Sequence, residues 1–236
     1  MNPNYIYQTI HTLSHHPLYV AEHCRLLERA FLDIYFRPLL LDEDDIYKKI
    51  VELLRHERVT QTLSVFVELR IDIQQNEEIV ISGRSLYDGY AIRSISPFAV
   101  AVTFDSPFGL HSSSARRAAL SFAGDIARNL GGEIALECSR DGALLSLDGA
   151  AIFALIRNRL IASTTIDSVE REFVIAAAAD LSIEVERREI MRNELYLFDE
   201  VFGCDHNGII AISGYGEQRY MSLIAEKIAK YLSQPW

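Results

Sequence analysis

The chain has 236 residues, of which 49% are hydrophobic and 24% charged, a mix suited to one large globular domain or two small ones. Its formal net charge of −10 repels phosphate backbones, which argues against a nucleic-acid partner. No apolar run approaches the ~20 residues of a bilayer-spanning helix, "MNPNYIYQTIHTL" has no signal-peptide pattern, and three widely spaced cysteines (Cys24, Cys138, Cys204) fit reduced thiols in a cytoplasm.

In chain order, "YIYQTI" and "PLYV" read as short strands joined by the turn-like "SHHP". Leu26, Leu27, Ala30, Phe31 and Ile34 recur at helical spacing, which predicts an amphipathic helix from Ala21 to Tyr35. Asp42 starts a second helix through "DEDDIYKKIVELLRH", with acids in its first turn as the helix dipole prefers. "TLSVFVELRIDI", "EEIVISG" and "PFAVAVTF" follow as strands. The Pro, Gly and Ser of "DSPFGLHSSS" mark a linker. We therefore expect a small N-terminal domain over 1–105, a linker over 106–112 and a C-terminal domain over 113–236.

The second part opens with a helix, "SARRAALSFAGDIARNLGG", stopped by glycines. The strands "EIALEC", "ALLSL", "AIFALI" and "RLIAS" come next. Asp167 is expected to cap a helix through "VEREFVIAAAADL", with Asp167-Ser-Val-Glu170 at the spacing of a capping box. "SIEVERREI", "LYLFDEVFG" and "GIIAISGY" read as strands around a short helix at "MRNEL". An amphipathic helix, "EQRYMSLIAEKIAKYL", closes the chain. Many short strands with few helices predict a barrel-like second domain.

"CDHNG" invites several chemical readings. Cys204, Asp205 and His206 are possible metal ligands, but no partner pair stands at zinc-site spacing, so no metal is expected. Cys204 and His206 would share a strand face and could pair as nucleophile and base. Asp205-His-Asn-Gly208 also reads as a polar turn, with Asn-Gly taking positive φ. His11, His15 and His16 read as surface residues.

The order of these pieces resembles the class IV aminotransferases, the fold-type IV pyridoxal-phosphate enzymes. They include branched-chain and D-amino-acid aminotransferases and aminodeoxychorismate lyase. "LFDEVF" is the most specific match. "YQTIHTLSHHPLYVAEHCRLLERAF" resembles the family's opening strand, turn and helix. "SARRAALSFAGDIARNLGGEIALECSRDGALLSLDGAAIF" resembles its central helix and sheet. The sequence starts at that opening strand, later than the family usually does. The resemblance implies a two-domain α+β fold, a small N-terminal α/β sandwich and a larger C-terminal pseudo-barrel. It also implies a homodimer.

The family's chemistry needs a lysine amine for an imine with the cofactor. The resemblance places Ser112 at that position. Lysine occurs only at Lys48, Lys49, Lys227 and Lys230, so no shift of register supplies one. Arginine cannot replace it, because its guanidinium stays protonated. Ser146 falls where the family sets a carboxylate against the pyridine nitrogen, and Asp148, two residues on, starts an Asp-Gly turn. Ser168, Val169, Glu170 and Arg171 match the helix start that holds the cofactor phosphate, and Glu170 replaces a threonine there. Leu26 matches the phosphate-contacting arginine; Arg25 and Arg29 read as solvated or dimer-facing neighbours. Asp205, His206 and Asn207 replace small residues of the closing loop. The expectation is a class IV aminotransferase-like protein without pyridoxal phosphate and without an assigned catalytic residue, binding a small molecule or a protein partner. The alternative is an active aminotransferase or aminodeoxychorismate lyase-like enzyme that uses pyridoxal phosphate.

Overall fold

The computed structural model describes residues 3–59, 64–85, 90–93, 95–106 and 108–233. Two compact units form: Met1–Gly89 with His111–Arg117, and Tyr90–Leu110 with Ala118–Trp236.

The first unit contains β1 (Tyr5–Leu13), β2 (His16–Pro17), α1 (Val20–Tyr35), α2 (Glu43–His56), β3 (Val65–Asp72) and β4 (Glu77–Arg84). Its antiparallel sheet runs β2-β1-β3-β4. Strand periodicity explains the core. Ile6 and Ile10 of β1 and Val65, Val67, Leu69 and Ile71 of β3 face one side, where Leu27, Phe31, Ile46 and Ile50 of the helices cover them. Asp42 caps α2, its carboxylate accepting from the N–H groups of Asp44 and Asp45 at 3.1 Å, as its acidic start predicts.

Two expectations in this unit change. "PLYV" is not a strand: Ser14 and His15 take left-handed φ and fold the chain back, so only His16 and Pro17 pair before α1 begins at Val20. His11 is not a surface residue. It is fully buried and meets Phe66 edge to face, ring centroids 5.2 Å apart. Thr62 and Leu63, the expected start of β3, lie outside the described residues.

The second unit begins with β5 (Phe98–Thr103), which pairs in parallel with β6 (Ile134–Cys138) after the crossover helix α3 (Ser114–Asn129). β5 thus joins this unit's sheets, whereas the small domain expected from the sequence ran to 105. Next come β7 (Leu144–Leu147), β8 (Ala151–Ile156), β9 (Arg159–Ala162), α4 (Val169–Asp180) and β10 (Glu184–Arg187). A 3₁₀ helix (Arg192–Leu197), β11 (Glu200–Asp205), β12 (Gly208–Ala211), β13 (Gly214–Tyr215), β14 (Gln218–Arg219) and α5 (Leu223–Leu232) complete it. The strands form two five-stranded sheets, β10-β9-β8-β11-β12 and β14-β13-β5-β6-β7. Leu136, Leu144, Ile152, Ile161, Val201 and Ile210 are drawn from both sheets into one buried cluster, the interior of a pseudo-barrel.

"LYLFDEVFG" is a strand only from Glu200. The 3₁₀ helix runs through Leu197 because Glu194 reaches back to the Met191 N–H at 2.8 Å and holds the turn closed. The fold class is α+β, the small helix-covered sheet and pseudo-barrel that the sequence implies.

The "DEVF" residues brace this unit. The Asp199 carboxylate accepts from the Arg157 N–H in the β8–β9 turn at 2.7 Å. Glu200 is buried, and its carboxylate accepts from the N–H groups of Ile224 (2.9 and 3.0 Å) and Ala225 (3.0 Å) at the start of α5. Val201 and Phe202 are core, with Phe202 stacked on Phe153. Removing the carboxylate in Glu200→Ala orphans two helix N–H groups and opens a cavity. We expect a loss of about 2–4 kcal/mol, read from urea denaturation midpoints.

Candidate functional site

The helix start and closing loop singled out in the sequence meet inside the second unit. Ser168, extended at φ −145, is the N-cap of α4, and its hydroxyl accepts from the Arg171 N–H at 3.0 Å. The capping box expected from Asp167 is therefore one residue out of register. Asp167 instead pairs with the Arg171 guanidinium at 2.8 Å, and Arg171 also donates to the Ile166 carbonyl at 2.7 Å. Arg171 thus clamps the loop in front of its own helix.

The shift puts Glu170 in the first turn with its side chain inward. It is only 7% exposed, and burial, with the nearby Asp205 charge, pushes its carboxyl up to about 7. Its own N–H and the Ser168 hydroxyl oppose that rise through hydrogen bonds. Asp205 ends β11 and forms an ion pair with Arg93, whose own N–H donates to the Ile209 carbonyl at 2.8 Å. Asp205 also accepts from the Asn207 N–H at 2.8 Å. Asp148 is close enough to these charges that Asp205 raises its carboxyl while Arg93 and Arg128 oppose; burial is the largest cause of its rise. The structure thus gathers Glu170, Asp205 and Arg93 around one buried thiol, Cys204, with Asp148 within reach of the Asp205 and Arg93 charges.

That thiol is not an activated nucleophile. Cys204 is 1% exposed, and burial, reinforced by Glu170 and Asp205, holds it well above the usual thiol range. His206 is not on the strand with it. Asp205 pairs with Gly208, so His206 and Asn207 form a two-residue loop, and their side chains lie 3.3 Å apart, His206 Nε2 to Asn207 Nδ2. Positive φ falls on Gly208, not on Asn207. Among the described residues, no three His, Cys, Asp or Glu side chains converge as a metal-binding group.

Ser146 lies on β7, fully buried. Its hydroxyl donates to Glu137 on β6 at 2.6 Å and accepts from the Gly149 N–H at 3.0 Å. Glu137 and Ser146 are cross-strand partners. Asp148 and Gly149 take φ 52 and 88 between Leu147 and Ala150, which exchange hydrogen bonds of 3.0 and 3.1 Å. This is the expected Asp-Gly hairpin turn. Sequence reasoning missed Glu137 and Arg93. An acid inside the apolar run "IALEC" was a legible signal for Glu137; nothing local marks Arg93.

Ser112 belongs to the first unit, where its carbonyl accepts from the Tyr7 N–H at 3.0 Å. Arg25 and Arg29 are exposed on α1 and pair with Glu22 and Asp33. All four lysines lie on solvent faces of helices, Lys48 and Lys49 on α2, Lys227 and Lys230 on α5. Lys49 bridges Asp45 and Glu77 at 2.7 Å each, and these hydrogen bonds raise its ammonium above the usual lysine range. Imine formation requires the neutral amine, which such pairing disfavours.

An inward carboxyl occupies the first turn of α4 and Asp205 adds a second acid nearby, an arrangement that disfavours a phosphate dianion at this helix start. Among the described residues, no helix is long and apolar enough to cross a membrane.

No protein-family model and no curated protein matches the sequence. Solved structures do match. The branched-chain aminotransferase of Thermoproteus uzoniensis, with norvaline, superposes with a TM-score of 0.81 at 18% identity, covering 98% of this chain and 84% of that one. The Thermobaculum terrenum branched-chain aminotransferase, an M4 mutant, gives 0.79 at 19% identity, covering 97% and 82%. A fold IV-transaminase from Curtobacterium pusillum gives 0.77 at 14% identity, covering 99% and 88%. The chain has the class IV aminotransferase fold, that of the fold-type IV enzymes.

Proposed function

We propose that this protein keeps the class IV aminotransferase fold without pyridoxal-phosphate catalysis and acts as a binding protein for a small molecule or a protein partner. Fold alone assigns no chemistry. The reading is carried by one observation: every lysine is a solvated helix residue, and none occurs from 50 to 226. Glu170 at the start of α4 supports it independently. The retained "DEVF" does not oppose it, because its side chains cap, brace and fill the scaffold. Three buried free thiols agree with a cytoplasmic setting for the same protein.

Titration of the protein with pyridoxal phosphate, followed by absorbance, tests the reading. The expected spectrum is the sum of protein and free cofactor, with no activity toward amino acids or keto acids. A saturable band at one equivalent would overturn it. Thermal-shift screening of amino acids, keto acids and nucleotides tests the binding role. A specific ligand at about 100 times its Kd stabilises by about 2.7 kcal/mol through mass action.

A further inference from the structure

A groove of about 320 Å³ opens on the second unit, lined by Asp141, Gly142, Met191, Arg192, Asn193 and Tyr215. Hydrogen bonds fix its walls. The Arg192 N–H donates to the Gly142 carbonyl at 2.8 Å, which ties Arg192 to the β6–β7 hairpin. The Ser139 hydroxyl accepts from the Ala143 N–H at 2.9 Å and donates to the Asp141 carboxylate, holding that carboxyl below the usual range. Arg192 Nε donates to the Tyr215 hydroxyl at 2.6 Å, which orients the guanidinium. The groove stands at the Asp141-Gly142 end of β7, and the Asp148-Gly149 turn stands at the other end. It is therefore separate from the residues around Cys204.

Neighbouring arginines in this region are neutralised. Arg140 pairs with Asp105 at 2.6 Å, and Arg188 pairs with Glu186 at 3.2 Å and Glu194 at 2.9 Å. Arg192 has a neutral phenol instead, and among the described residues no carboxylate stands within ion-pair distance of it. With Nε occupied, its two terminal nitrogens still offer a planar fork that matches a carboxylate. The Asn193 amide adds a neutral donor and acceptor, Asp141 an acceptor, and Met191 with the Tyr215 ring an apolar wall.

The geometry points to this groove as a binding site for the free C-terminal end of an extended peptide. Arg192 and Asn193 take the terminal carboxylate, Asp141 accepts a peptide N–H, and the last side chain rests on Met191 and Tyr215. The open rim selects a chain end over a free metabolite. Asp141, Arg192 and Asn193 are all exposed, whereas a small molecule is held by burying roughly 70–90% of its surface. A peptide instead gains contact along its length and runs out into solvent. The net charge of −10 disfavours acidic peptides, so the terminus is the anion that the groove reads. This inference rests on the partner-binding reading above, and its test reports on the groove rather than on the start of α4.

Proton–nitrogen correlation NMR of the full chain, titrated with N-acetyl-Ala-Ala-Leu to about 10 mM, tests it. The amide resonances of Gly142, Arg192 and Asn193 are expected to shift saturably. The same peptide with an amidated C-terminus, and acetate alone, are each expected to bind about tenfold more weakly or worse, which separates a peptide end from an uncharged chain and from any small carboxylate. Arg192→Gln, an exposed substitution, is expected to lose about tenfold in affinity with the rest of the spectrum unchanged. Tyr215→Phe keeps the ring but releases the guanidinium, and is expected to weaken binding about threefold. The absence of saturable shifts in the wild type would overturn the proposal. So would an amidated peptide or acetate that binds as well as the free acid, or undiminished binding by Arg192→Gln.

Discussion

Gly208→Ala is expected to be strongly destabilising, costing about 3–5 kcal/mol. Gly208 sits at φ +102, where a side chain is strained. Space is the larger problem. A Cβ there would stand 2.2 Å from the Ala91 carbonyl oxygen and 3.2 Å from the Tyr90 carbonyl carbon. That carbonyl oxygen accepts from the Ile209 N–H at 3.0 Å, and Arg93 donates back to Ile209 at 2.8 Å. The methyl must therefore push out the segment that carries Arg93 to Asp205. For a chain of this length the loss corresponds to a fall in Tm of about 6–20 °C. Asn207→Ala, in the same loop but without such contacts, is expected to cost under about 1 kcal/mol. Equal losses in the two variants would mean that Gly208 is not packed against Ala91.

Glu170 predicts an unusual pH dependence. Its carboxyl is about 7 in the folded protein against 4.5 when solvated. Between those values the folded state binds more protons than the unfolded one, so stability falls as pH rises. The contribution is fully present below pH 4.5, declines through about pH 7 and is then constant. A shift of this size corresponds to about 3 kcal/mol. Glu170→Gln, which cannot ionise, is expected to abolish that decline and to be more stable than wild type at pH 8. Urea unfolding at several pH values between 4.5 and 8 measures the difference. A Glu170→Gln variant less stable than wild type at pH 8 would show that the ionised carboxylate is stabilising, contrary to its burial beside Asp205. Because α4 opens on a buried carboxyl that its own N–H hydrogen-bonds, any anion at this helix start would have to compete with Glu170.

The sequence was informative where one local rule decides the outcome. α1 and α2 followed helical periodicity, and Asp42 followed capping chemistry. The Asp148-Gly149 turn followed from a dipeptide that supplies two positive φ values. The family-like order of the pieces indicated the fold despite identities below 20% to solved structures. Expectations failed where tertiary contacts decide. His11 looked like a surface residue because its hairpin is polar, yet β3 lays Phe66 across it. The α4 cap moved from Asp167 to Ser168 because Arg171 captures the aspartate. Arg93 was invisible because its meaning depends on Asp205, 112 positions later. Lysine positions needed no structure at all, which is why the sequence spoke more clearly about imine chemistry than about any binding role. "CDHNG", read alone, suggests an active site. In the fold it is a turn whose glycine admits a neighbouring carbonyl, whose cysteine is buried and whose aspartate is held by an arginine.

No lysine of this protein is expected to form an imine with pyridoxal phosphate in its fold. Purified protein should be incubated with one equivalent of the cofactor at neutral pH, reduced with borohydride and weighed intact by mass spectrometry, with peptide mapping of any adduct. The expected result is unmodified protein, with at most trace, scattered labelling of Lys48, Lys49, Lys227 and Lys230. A single stoichiometric adduct on any one of these four lysines would contradict it.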